Sequence, residues 1–379
     1  MAHGRDGLSA TGEGTKMRAM PLADFERLTP GVQVTVDVGL SGAIDVVAAA
    51  ALSSHRFLRY QWFAAALSAG GTAVRTIVAR VAGRPQLALP IVATGPAALG
   101  LVSIPGSYWP FRGFPVAADA DPAIHAPVLA ALAGAARGVR IGPVIDGDPA
   151  VGPLIAAARA RGWVAIDRYI ADSWVLDLAA VQAEGPWPRG STLRKNRFHE
   201  KHLGAHGRLD WDFVTGDEWP VGFDAMARVE AASWIAARTD GRDAKFTDTG
   251  HGRFWRMAAE DPVLAAMFNA AILRVDGAPA AFSFDIDAGT TRYAIANSYD
   301  PAFAKHSPGK LLYYRNLTAG LARGIAVVDW GAGDSGYKQV LGAVQGPAMR
   351  DWLLLRPGLP ALAGRLLSGV WRRSGNAAP

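Results

Sequence analysis

The chain has 379 residues, half of them hydrophobic and 19% charged, which places it with globular rather than disordered proteins and favours two or three domains. It contains no cysteine, so disulfides, thiolate metal sites and a cysteine nucleophile are excluded. A net charge of +6 and a pI of about 9.7 suit anionic partners, such as a CoA-like cofactor, lipid headgroups or nucleic acid, but no run of aromatics interleaved with Lys and Arg favours nucleic acid.

Met1–Met20 is Gly-rich and polar, with no apolar h-region, so it reads as a disordered tail rather than a signal peptide, and a cytoplasmic location is expected. Phe57–Leu67 has helical spacing, with Phe57, Tyr60, Phe63, Ala64 and Leu67 on one side. Ala73–Val81 and Leu87–Ala93 are strand-like, with Gly83-Arg84-Pro85 as the expected turn. The uncharged stretch Pro85–Phe111 is long enough to span a bilayer. Pro90, Pro96 and Pro105, with Gly95 and Gly100, break it, and two buried strands with turns fit better. A helix follows over Ala123–Ala136, a strand over Val139–Ile145 and a helix over Val151–Arg161 closed by Gly162. Strands Trp163–Asp167 and Tyr169–Leu178 complete a mixed α/β unit.

Gly185–Gly190 is a break, after which the pattern restarts. Thr192–Leu203 is a basic helix, Leu209–Val214 a strand, and Phe223–Ala237 and Arg253–Ala259 are helices. Strands Ala265–Val275, Ala280–Asp287 and Thr291–Ser298 form a meander, with hairpin chemistry at Asp276-Gly277 and Ala288-Gly289. Lys310–Arg323 is a helix closed by Gly324, and Ile325–Trp330 a strand. At the C-terminus Leu359, Leu362, Leu366, Leu367, Val370 and Trp371 have helical spacing, accompanied by Arg365, Arg372 and Arg373. That pattern suits a last helix packed on the body, or one lying on an anionic membrane surface at the inner face of the membrane.

Four groups of residues carry chemistry. Ser307–Lys310 has Ser307 as N-cap and Pro308 in the first turn, with Gly309 opening the backbone to a ligand and Lys310 adding charge. Such a helix start can hold a pyrophosphate. It is not a Walker loop, because Ala304 and Leu311 stand where that motif needs Gly and Ser/Thr. Trp330–Lys338 is a strand ending in a Gly-rich turn. Asp334 or Tyr337 there could move a proton, and Lys338 could neutralise an anion. Glu230 precedes Trp234 by four residues on one helix face, and burial would raise its pKa into the range of a general base. His199, His202 and His206 have spacings of three and four in a polar setting, and no metal site is expected there. Arg194, Lys195, Arg197 and Lys201 read as a solvated face that leaves anion binding open, and no Ser-His-Asp constellation stands out.

Taken together, TLRKNRFHEKHL at 192–203, VEAASW at 229–234, the meander, SYDPAFAKHSPGKLLYYRNL at 298–317 and VVDWGAGDSGYK at 327–338 resemble the bacterial CelD-type (BioF2-like) acetyltransferase domain. That domain belongs to the GNAT superfamily and is related to the FemAB-type aminoacyl transferases. The likeness covers roughly 190–345, and HRFLRYQWFAAAL at 55–67 fits the preceding half more weakly. It implies an α/β (α+β) protein of two tandem GNAT-like domains, each a mixed, mostly antiparallel twisted sheet flanked by helices. The expected bounds are 21–185 and 186–350, with 351–379 as an amphipathic segment.

The resemblance further implies acyl-CoA as donor. Ser307, Gly309 and Lys310 would occupy the phosphate-binding position, although they depart from the common Arg/Gln-x-x-Gly-x-Gly/Ala loop. Asn297 and Tyr299 would lie near the reactive end of the pantetheine. Asp334, Tyr337 and Lys338 match a Gly-Asp-x-x-Tyr-Lys pattern and Glu230 a Glu-x-x-Ser-Trp pattern, with Glu230 or Asp334 as base and Tyr337 protonating the leaving thiolate. Trp234 and Arg194 are the candidates for substrate binding. The acceptor implied is an amine or hydroxyl of a cell-envelope glycan or lipid. A long-chain base giving a ceramide-type product, aminoacyl transfer, and a non-catalytic envelope-binding pair remain open.

Overall fold

The computed structural model describes residues 31–376 apart from 69, 71–72, 235–242 and 334–335. The expected tail at 1–20, Asp334 and residues 235–237 of an expected helix lie outside the described residues, and that helix already ends at Ala232, with Ser233 extended. In the first half the elements are β1 (Val32–Val38), α1 (Ala43–Ala50), α2 (Tyr60–Leu67), β2 (Val74–Val81), β3 (Arg84–Ala93), β4 (Leu101–Ser103), α3 (His125–Ala135), β5 (Gly138–Ile145), α4 (Val151–Ala160) and β6 (Val164–Asp177). The second half runs α5 (Leu178–Ala183), α6 (Gly190–Leu203), β7 (Leu209–Val214), α7 (Trp219–Ala232), α8 (Gly252–Ala258), α9 (Pro262–Met267), β8 (Phe268–Val275), β9 (Ala278–Ala288) and β10 (Thr291–Tyr299). It ends with α10 (Pro308–Ala322), β11 (Val327–Ala332), α11 (Tyr337–Leu341), β12 (Val344–Leu355) and α12 (Leu359–Arg373).

The strands form one sheet in the order β1-β2-β3-β4-β5-β12-β6-β11-β10-β9-β8-β7. Each half is an antiparallel meander that reaches a single parallel pair, β4/β5 or β10/β11. The halves complete each other. β12, near the end of the chain, inserts between β5 and β6, and β6 also pairs with β11 through Ser173–Asp177. The domain boundary expected at residue 350 therefore falls inside a strand of the first half's sheet. That strand is poorly marked in sequence because Gly346-Pro347 breaks its alternation and its register with β6 shifts twice.

Local chemistry explains other differences. The β2–β3 turn is Ala82-Gly83, both at positive φ (48° and 77°), so Arg84 and Pro85 already belong to β3. The Asp276-Gly277 hairpin has the expected two positive φ values, 47° and 78°. Residues 265–267 are helical rather than extended, since the Asp261 carboxylate caps α9 through the Val263 and Leu264 amides. Trp163–Asp167 and Tyr169–Leu178 merge into the fourteen-residue β6, and β1 and α1 carry no clear sequence signal.

The main apolar core cluster spans both halves, with two smaller clusters packed around α10. Trp62 of α2 meets Trp255 of α8 at 5.8 Å between centroids, and Phe57 and Phe111 each pack edge-on against Tyr293 of β10 at 6.0 Å. Burying such aromatics contributes about 1.5–3 kcal/mol each, so the two halves hold each other in register. Arg59 to Asp261, at 2.7 Å, adds a half-buried ion pair across the same seam.

The two parallel pairs differ in one respect that matters. After Ser103 the first half's own chain fills the gap. The Ile104 amide bonds Arg140 O at 3.2 Å, Arg112 N bonds Pro143 O at 2.9 Å, and Phe111 and Phe114 are buried there. In the second half β10 and β11 pair only over Thr291–Tyr293 and Val327–Asp329 and then diverge, leaving an open splay.

Candidate active site

The open splay is roofed by the start of α10. At the end of β10 the Asp300 carboxylate accepts the Ala302 amide at 2.9 Å, which turns the chain into a short 3-10 segment over Pro301–His306. Ser307 then adopts φ 52°, ψ 48°, and its side chain caps nothing, contrary to the expected hydroxyl cap. Its carbonyl instead takes the Lys310 and Leu311 amides at 3.0 and 3.1 Å. Pro308 has no N–H, so the Gly309 amide is the first-turn donor left without a backbone acceptor. Gly309 has a second role: a Cβ there would lie 3.3 Å from both Asn297 Oδ1 and Tyr299 Cδ1, so glycine lets α10 sit down on β10.

Between β10, α10 and α11 lies a cavity of about 310 Å³, lined by Asn297, Tyr299, Ser307, Gly309, Lys310, Tyr313, Tyr337, Val340 and Leu341. All five expected donor-site residues, with Tyr337, thus line one space. The Asn297 side-chain nitrogen is buried without a partner, a donor ready for a ligand. Tyr313, which sequence reasoning passed over, stacks on Tyr337 with centroids 5.6 Å apart, and the hydroxyls are 3.5 Å apart. Burial holds the Tyr313 hydroxyl well above its ordinary pKa, so it stays protonated.

The rim is cationic. Lys310 is held below its usual pKa by burial and by Lys195 of α6. His199 is lowered by burial and then by Lys195, Lys310, His306 and His202. Glu200 on the same helix is taken up by Arg315 at 2.6 Å. These cations disfavour one another, and a polyanion would relieve the conflict. Lys195 and His199, four apart on one helical face, were legible only as a solvated stripe. His206 and His306 approach Nε2 to Nε2 at 2.9 Å, but among the described residues no group of three or more His, Cys, Asp or Glu could hold a metal.

β10 carries a bulge between Ala294 and Ala296, and Trp109 of the first half donates its indole N–H to the Ala294 carbonyl at 2.8 Å. Beside the bulge, Ile295 helps line a second cavity of about 240 Å³ with Tyr108, Trp109, Arg112, Lys245, His251 and Arg253. One strand therefore connects a cavity at the splay with a cavity between the halves.

The remaining candidates take other places. Glu230 is fully buried, and its two oxygens accept the Lys245 and Phe246 amides at 2.9 and 2.8 Å. Burial raises its pKa while those bonds oppose the rise, so the carboxylate holds the segment that carries Lys245 to the second cavity. Lys338 Nζ donates into the carbonyls of Trp330, Gly331, Ala332 and Gly333 at 2.5–3.3 Å, so it organises the β11–α11 turn. Trp234 and Arg194 are exposed and line neither cavity. Ser54, His55 and Asp148 do align, at 2.9 and 3.1 Å, but His55 is buried and Asp148 caps α4, so the chain of bonds is structural.

Residues 190–339 match the family described as acetyltransferase (GNAT) domain. No curated protein matches the chain. Among solved structures, FemX superposes with a TM-score of 0.55 at 11% identity, covering 89% of this chain and 100% of FemX. A conserved protein of unknown function from Bacteroides thetaiotaomicron VPI-5482 gives 0.53 at 12%, covering 85% and 100%. The C-terminal domain of a putative lysylphosphatidylglycerol synthetase from Agrobacterium fabrum gives 0.50 at 15%, covering 89% and 97%. At such identities the likeness is one of fold. Residues 190–339 match a GNAT acetyltransferase domain, and the chain as a whole shares its fold with FemX.

Proposed function

We propose that the protein moves an acyl group from an acyl-CoA, bound in the second half's splay, to an amine or hydroxyl of a cell-envelope glycan or lipid bound in the cavity between the halves. The observation that carries this reading is the cluster of Lys195, His199, His306 and Lys310 at the α10 N-terminus, beside a cavity between β10, α10 and α11. A pyrophosphate suits that rim, where the Gly309 amide and the helix dipole add to the side-chain charge.

In this reading the acceptor nitrogen or oxygen attacks the thioester carbon and the carbon–sulfur bond breaks. Backbone N–H groups at the β10 bulge stabilise the oxyanion. Asn297 orients the pantetheine arm, and Tyr337, backed by the protonated Tyr313, supplies the proton that the leaving thiolate takes. The acceptor's proton goes to Asp334, a role resting on the Gly-Asp-x-x-Tyr-Lys resemblance, because both Glu230 oxygens are occupied.

The cationic lining of the second cavity by Arg112, Lys245 and Arg253 favours an acceptor with an acidic group. A second reading, aminoacyl transfer to a lipid, draws on the fold shared with the lysylphosphatidylglycerol synthetase domain. Thermal-shift titration with CoA, acyl-CoAs of increasing chain length and aminoacyl-tRNA separates the two. Stabilisation by acyl-CoA supports the first reading, and stabilisation by aminoacyl-tRNA alone replaces it with the second.

A further inference from the structure

α12 is packed the wrong way round for an ordinary surface helix. Its small residues face the body: Ala361 and Gly364 are buried, and a Cβ on Gly364 would run into Leu355 of β12. Its large apolar residues face out. Leu359 is 82% exposed, Leu366 77%, Leu367 59%, Val370 58% and Leu362 54%. The spacing 359, 362, 366, 370 makes them one continuous stripe along the helix. A helix that only closed the fold would bury its leucines and expose its alanine and glycine.

The charge on the segment that carries the stripe is of one sign. From residue 352 to the end of the chain there are four arginines, Arg356, Arg365, Arg372 and Arg373, and no Asp or Glu. Trp371, at the inner flank, is held under the Arg168 guanidinium at 4.4 Å from its ring centroid. Alongside the helix runs an apolar groove of about 1070 Å³, lined by Leu99, Leu101, Ile166, Leu353, Leu355 and Leu367, which continues the apolar surface onto the body.

We propose that α12 anchors the protein in the interface of an anionic phospholipid bilayer. The helix would lie in the membrane plane with Leu359, Leu362, Leu366 and Val370 in the acyl region, while Arg365, Arg372 and Arg373 reach headgroup phosphates. Charge selects this occupant. A second copy docking on the same face would set the arginines of one helix against those of the other, since the nearby carboxylate, Asp167, is already shared between Arg350 and Arg372. An in-plane helix also fits the length: fifteen residues make about 22 Å of helix, and among the described residues no helix is long and apolar enough to cross a membrane. This inference does not rest on the identity of the acyl donor.

The test is flotation of the full chain with vesicles of phosphatidylcholine, and of phosphatidylcholine mixed with phosphatidylglycerol. The expected result is association with the mixed vesicles on the order of tenfold stronger than with phosphatidylcholine alone, weakened by raised salt. L359S/L362S/L366S should abolish it, and R365Q/R372Q/R373Q should erase the preference for phosphatidylglycerol. All six side chains project from the outer helix, so circular dichroism melting checks that both variants remain folded. Failure of the wild type to float, or equal flotation of the folded leucine variant, overturns the proposal. A concentration-dependent dimer that disappears in the leucine variant, without flotation of the wild type, assigns the stripe to self-association instead.

Discussion

The Trp109 indole donates a 2.8 Å hydrogen bond to the carbonyl of Ala294, the residue at which β10 leaves its register. A side chain of the first half thereby holds the backbone of the second at the junction of the two cavities. Gly331 of β11, at φ 63°, provides the seat, since a Cβ there would lie 2.7 Å from the Trp109 ring. Trp109→Phe should leave a buried carbonyl unpaired and cost about 1–3 kcal/mol in urea unfolding. In the proposed reaction the bulge would orient the reacting carbonyl rather than the phosphates, so the variant should lower kcat more than it raises the KM for acyl-CoA.

The rim cations make a separable prediction. K310A and K195A should each raise the KM for acyl-CoA roughly 5- to 30-fold, the loss of about 1–2 kcal/mol of charge-assisted phosphate contact. With an acyl-pantetheine donor, which lacks the nucleotide phosphates, the same variants should match the wild type. Steady-state kinetics with the two donors decides whether these residues bind phosphate at all.

Glu230 distinguishes a support from a base. Glu230→Ala removes the acceptor of two buried amides and should destabilise the fold by about 2–4 kcal/mol. Glu230→Gln keeps one acceptor oxygen but sets an NH2 against the other amide, so it should cost about 1–3 kcal/mol of stability while the folded variant retains most turnover. A folded Gln variant as inactive as the Ala variant would show that the carboxylate itself takes part in the chemistry.

Beneath α10, Asn316 donates to Asp285 at 2.7 Å and to Ser283 at 3.0 Å, and burial raises the Asp285 pKa from 3.8 to about 6 despite Arg292 nearby. The folded state therefore binds this proton more tightly than the unfolded state does. The contribution is fully present below pH 3.8 and is lost as pH rises through about 6. Roughly two pKa units correspond to about 3 kcal/mol at most. Asp285→Asn should flatten the fall in stability across that window, as read from urea midpoints at pH 4.5 and pH 7. Asp329, also raised to about 6 by burial, adds a similar slope that the variant leaves in place.

Much of the second half was legible because its signals are local. The Asp276-Gly277 turn, the Pro308 helix start, the meander between them and the leucine spacing of α12 each depend on residues within a few positions of one another. Asn297, Tyr299, Ser307, Gly309 and Lys310 share one cavity because strand, turn and helix follow directly in sequence. The exception within this stretch is Lys338, whose four carbonyl partners lie only five to eight residues back, where no sequence pattern reveals that a turn will curl around an ammonium.

The amino-acid sequence by itself determined most of the order of elements between residues 190 and 330, the basic face beside the helix start and the amphipathic last helix, since periodicity and turn chemistry act over short range. Only the tertiary structure decided that β12 returns to the first half, that the first splay is filled by its own chain, and that Glu230 is spent on two amides. It also decided that Trp109 reaches Ala294 across 185 residues of sequence. The reason is physical: these outcomes depend on which buried donors and acceptors meet once both halves share one core, and no local pattern encodes that meeting.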